Sequence, residues 1–188
     1  ITFTSTNGGN TYNDEELSCT ATFTDLDNDS ISVSYSITNL STGGVLWTWN
    51  DSSDPLFLES SFSSPFDVLQ CVAVASDGNG GSATGSANLD IFNRDPVVYD
   101  TPTVSPQNPT TGDTVECVGS GYDPDDDATT LSYVWFNDTT NAQLSTSSTF
   151  TLDSSIVSPT DVINCTFLIM DSHASSSSET SIDLTIAN

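Results

Sequence analysis

Over residues 17–23 the apolar side chains Leu17, Cys19, Ala21 and Phe23 alternate with polar ones, and Ile31, Val33, Tyr35 and Ile37 repeat that alternation over residues 31–37. A period of two marks strands with one buried face. Residues 68–75 run almost without a polar break around Cys71, which is the pattern of a central strand. A short strand is expected over residues 1–5, followed by a polar turn over 7–16. Further turns are expected at Ser64-Pro65-Phe66-Asp67 and Asp77-Gly78-Asn79-Gly80-Gly81, before a last strand through Ala87, Leu89 and Ile91. Val45, Trp47 and Trp49 also alternate, so a strand there would place all three on one face. No segment sustains a helical period, and the fold class that follows is all-β.

The pattern occurs twice. Val115 and Cys117 lie 98 residues after Leu17 and Cys19, and Leu131, Tyr133 and Trp135 stand at the same offset from Val33, Tyr35 and Ile37. Ser158-Pro159, Asp161, Cys165 and Asp171 follow Ser64-Pro65, Asp67, Cys71 and Asp77 at 94, because the second copy has a shorter middle loop. Two domains are expected, 1–93 and 94–188, joined at Asn93-Arg94-Asp95-Pro96, where the proline keeps the chain extended. Seven or so short strands per copy, paired cysteines about 50 residues apart and Trp135 between them suit two tandem immunoglobulin-like sandwiches with cross-linked B and F strands. Leu69 and Ile163 stand two residues before the second cysteines, where antibody-type domains carry tyrosine.

The four cysteines contain no C-x-x-C, so zinc and dithiol-redox readings lack their spacing. Of the three possible pairings, the repeat favours Cys19 with Cys71 and Cys117 with Cys165. Each would stabilise by about 4 kcal/mol in the chain-entropy model and implies an oxidising, extracellular compartment. The first residue is Ile1, which fits a processed or excised segment. No run approaches the roughly 20 apolar residues of a membrane span.

One Lys+Arg against 26 Asp+Glu gives a formal charge of -25, which repels nucleic acid and anionic membrane surfaces. With one histidine and no lysine, the usual general bases and activated nucleophiles are nearly absent, and no carboxylate pair is marked for catalysis; the chain is read as a non-enzyme. His173 sits in a serine-rich turn and is read as surface.

The acids matter through their spacing. Asp25-Leu26-Asp27-Asn28-Asp29 and Asp123-Pro124-Asp125-Asp126-Asp127 set alternating carboxylates in a tight loop, and hard oxygen ligands of this kind suit calcium. An EF-hand fails, since Ser30 and Ser36, or Ala128 and Val134, stand where glycine and glutamate are needed. In the sandwich the B–C and F–G loops share one end, so Asp25, Asp27 and Asp29 are expected to converge with Asp77, and Asp123, Asp125 and Asp127 with Asp171. Asn93 and Asp95 in the linker are expected to complete the ligand shell of the second copy's site. A solvated acidic turn is the alternative in each copy.

The stretches DLDNDSISVSYSIT, more loosely DPDDDATTLSYVWF, and VAVASDGNGGSATGSANLDIFNRDPVV resemble the acidic loop, terminal strands and linker of bacterial and archaeal cadherin-like and PKD-like surface repeats. The resemblance covers almost the whole chain. It implies extracellular tandem modules that bind calcium and serve adhesion or structure. The glycine of that acidic loop is Asn28 and Asp126 here, and Asp171-Ser172-His173-Ala174-Ser175 replaces the DGNGG turn in the second copy.

The expected function is therefore a structural or adhesive extracellular protein stiffened by calcium. Ile186-Ala187-Asn188 matches Ile91-Phe92-Asn93, so the chain ends where a further linker would begin. That match suggests head-to-tail self-association, or neighbouring repeats in a longer array. The alternative is a binding module in which Trp47 and Trp49 meet a glycan, set against their burial in the core.

Overall fold

In the computed structural model, which describes residues 1–50 and 55–188, the chain divides into two compact units, Ile1–Asn93 and Arg94–Asn188. The described residues of the first unit form strands β1 (Thr2–Ser5), β2 (Glu16–Thr20), β3 (Ser32–Asn39), β4 (Val45–Asn50), β5 (Leu56–Phe57), β6 (Val68–Ser76) and β7 (Ser82–Asp90). They make two antiparallel sheets, β1-β2-β5 and β4-β3-β6-β7. This is the immunoglobulin partition, with A, B and E on one sheet and C′, C, F and G on the other. The inward residues Phe3, Leu17, Tyr35, Ile37, Leu69 and Ala73 close one core between the sheets, and the Cys19–Cys71 disulfide joins β2 to β6 through it. The apolar strand β6 lies inside its sheet, paired on both sides.

Some expectations shift. Strand β2 stops at Thr20, where its pairing with Thr2 ends, although Ala21 and Phe23 go on packing against the core. Strand β7 begins at Ser82, since serine, alanine and glycine serve a solvent-facing edge that no hydrophobic pattern reveals. The face shared by Val45, Trp47 and Trp49 is broken by a bulge opposite Ile37 and Thr38. Leu46 turns toward the core, Trp49 stacks on Tyr35 at 5.1 Å between ring centroids, and Val45 and Trp47 stay 65% and 47% exposed.

The second unit contains β8 (Val97–Val98), β9 (Thr103–Ser105), β10 (Thr114–Val118), β11 (Gly121–Tyr122), β12 (Thr130–Asn137), β13 (Ala142–Ser145), β14 (Thr149–Thr151), β15 (Val162–Met170), β16 (Ser176–Thr180) and β17 (Leu184–Thr185). Its sheets are β9-β10-β14 and β13-β12-β15-β16, with β17 also on β15 and a separate β8-β11 pair. Cys117–Cys165 joins β10 to β15. Trp135 is fully buried opposite Cys165, its indole N–H donating to the Ser147 carbonyl at 3.1 Å and its ring meeting Phe150 edge-on. A bulge at Leu144 repeats the one at Leu46. The repeated Ser-Pro-x-Asp turns serve the fold. Asp67 and Asp161 each accept from a fully buried asparagine amide, Asn39 at 2.7 Å and Asn137 at 2.8 Å, and from the Ser64 or Ser158 N–H.

Gly119 and Gly121 shape the approach to the second acidic loop. A Cβ at Gly119 would fall 2.3 Å from the Phe167 ring, and one at Gly121 would fall 2.5 Å from the Val97 carbonyl oxygen. Glycine thus lets β8 pair closely alongside β11, and the Tyr99 N–H continues that ladder to the Ser120 carbonyl. The first unit has Ala21 and Phe23 at the matching positions and Ala73 where the second has Phe167.

Candidate metal centre

The second unit's acidic loop joins β11 to β12, and its F–G turn joins β15 to β16. Asp123 opens the loop by folding its own backbone around one carboxylate oxygen. Oδ1 accepts from the Asp125 N–H at 2.8 Å and the Asp127 N–H at 3.4 Å. Such a turn needs a left-handed residue, and Asp126 supplies it at φ 61°, with Asn28 at the same angle in the first unit. Asparagine and aspartate tolerate this region best after glycine, which explains how the loop dispenses with one. The F–G turn is built alike: Asp171 Oδ1 accepts from the His173 and Ser175 N–H groups, both at 2.8 Å. Ala174 takes the positive φ of 70° that Gly80 takes as 107° in the first unit.

These turns bring Asp123, Asp127 and Asp171 together, with one ligand atom from each within 4.8 Å of the others. Asp123 is 5% exposed and its Oδ2 is buried with no hydrogen-bond donor. An unpaired buried carboxylate oxygen is costly unless a cation or proton meets it. Burial, foremost, pushes the Asp123 carboxyl above the usual carboxylate range, and Asp125 and Asp171 add to the rise. Asp127 is also raised, again chiefly by burial, with His173 pulling the other way. The donors are carboxylate oxygens, the set that suits a hard divalent ion such as calcium. His173 Nε2 lies 3.3 Å from Asp127 Oδ2, so the histidine read as surface borders the group.

Asp125 does not join them. Its carboxylate is taken by Arg94, whose backbone N–H reaches Oδ2 at 2.6 Å and whose Nε and Nη2 each reach Oδ1 at 2.8 Å. By sequence Arg94 belongs to the linker, and its being the chain's single Lys or Arg is the signal that marks it. Asp95 is exposed and stands outside the group; Asn93 is the half-buried last residue of the first unit.

The first unit builds the same two turns without gathering the carboxylates. Asp25 Oδ1 accepts from the Asp27 and Asp29 N–H groups at 2.8 and 3.1 Å, and Asp77 Oδ1 from Asn79 and Gly81 at 2.8 and 2.9 Å. The Asn79 amide donates to Asp29 Oδ2 at 2.8 Å and ties the loops together. Asp25 and Asp77 are half-buried, while Asp27 and Asp29 are exposed. Asp25, Asp27 and Asp77 border an open groove of about 360 Å³ lined also by Phe23, Ile31 and Ala83. Among the described residues, three acids come within ligand distance of one another in the second unit only.

No protein family and no curated protein sequence matches the chain. Among solved structures it is similar to the amphioxus IgVJ-C2 molecule, with a TM-score of 0.47 and 9% identity over 91% of this chain and 95% of that one. The immunoglobulin-like assignment itself rests on the strand partition and the two inter-sheet disulfides.

Proposed function

We propose that this chain is an extracellular, non-catalytic pair of immunoglobulin-like modules of structural or adhesive type, in which calcium stabilises the second unit through Asp123, Asp127 and Asp171. The observation that carries the reading is the buried, unpartnered Asp123 Oδ2 within a group of three carboxylates. Two inter-sheet disulfides support the oxidising compartment. The cadherin-like or PKD-like character suggested by the acidic loops belongs to the same reading, as does self-association through module ends. A glycan platform has less support, because Trp49 is engaged with Tyr35 and leaves Trp47 alone half-exposed.

Thermal unfolding tests the stabilising role. Calcium at about 100 times its dissociation constant adds about 2.7 kcal/mol to a unit that binds it only when folded. The second unit's transition is expected to rise by several degrees over the chelator-treated protein, and Asp171→Asn is expected to remove the rise. Identical transitions with calcium and with chelator would defeat the reading.

A further inference from the structure

We propose that Arg94 is a positioning residue for this cation loop, holding Asp125 so that Asp123 and Asp127 face the ion; the inference rests on the calcium reading above. Asp125 is 2% exposed, and a carboxylate at that depth needs a partner. Arg94 supplies its backbone N–H, Nε and Nη2 to that one carboxylate, and Nη2 also donates to the Pro124 carbonyl at 2.8 Å. The loop is thereby pinned at residues 124 and 125, between the two ligands. Because the Asp125 N–H itself donates to Asp123 Oδ1, fixing Asp125 also fixes which Asp123 oxygen stays free.

The first unit supplies the comparison. Its loop has the same pair of N–H bonds to Asp25, yet Asp27, at the place of Asp125, is exposed, and its acids do not gather. What the second loop adds is the guanidinium, whose planar fork binds a carboxylate in two directions where an ammonium acts as a point charge. Groups that orient metal ligands commonly change affinity by about 10- to 100-fold when lost.

The test is calcium calorimetry on the full chain, comparing the unaltered protein with Arg94→Gln, Arg94→Lys and the double variant Arg94→Gln/Asp125→Asn. The double variant matters because it removes the buried charge that Arg94→Gln alone would strand, and near-UV circular dichroism confirms its fold. About tenfold or greater weakening is expected in Arg94→Gln and in the double variant, with Arg94→Lys between them and the unaltered protein. A folded double variant that binds calcium as the unaltered protein does would overturn the positioning role. No binding by the unaltered protein would instead remove the calcium reading, and this inference with it.

Discussion

Replacing Cys117 and Cys165 together by alanine is expected to cost the second unit about 4 kcal/mol, the chain-entropy value for a loop of this size. The two cysteines are separated by 48 residues and link β10 to β15 across the core. Both are buried, so alanine leaves no stranded polar group there. For a domain of this length the total stability is about 5–15 kcal/mol, and the bridge therefore supplies a large fraction. The matching pair Cys19 and Cys71, separated by 52 residues, should cost a similar amount when removed. Urea unfolding of each double variant checks this, and a loss under about 1 kcal/mol would show that the reduced chain is already restrained by other contacts.

Trp135→Ala is expected to destabilise the second unit by about 3–5 kcal/mol and leave the first unchanged. Among the described residues no other fully buried side chain is as large, and its ring packs against Phe150 while its backbone pairs with Cys165 on β15. Trp135→Phe keeps most of the volume but loses the indole N–H bond to the Ser147 carbonyl, which solvent can reach. The loss of one such bond costs about 0.5–1.5 kcal/mol. The first unit has Ile37 at this place, opposite Cys71. Unit-resolved hydrogen exchange reads both variants; equal loss of protection in the two units would contradict the assignment of Trp135 to one core.

Much of this architecture is legible in the residues because the inward positions alternate: Leu17 with Cys19, Tyr35 with Ile37, Val115 with Cys117. The short strands β5, β8 and β11 were not, since two residues carry no period. The bulge at Leu46 escaped for another reason. A strict alternation through Val45, Trp47 and Trp49 conceals an inserted residue, and only its pairing with β3 reveals the shift. In the acidic loops the spacing identifies which residues form the turns, but it cannot rank the carboxylates. Asp125 has the same place in the pattern as Asp27, and what distinguishes them is burial and an arginine 31 residues away in sequence. His173 gives no signal in sequence because its near neighbours are serines and alanine, while its partner Asp127 lies on a different loop.

The most direct measurement is a calcium titration by calorimetry on the full chain and on Asp123→Asn. A single tight site per chain is expected, from Asp123, Asp127 and Asp171, and it is expected to be lost when the buried carboxylate becomes an amide. Two equivalent sites that persist in Asp123→Asn, or no heat of binding in the unaltered protein, would contradict it.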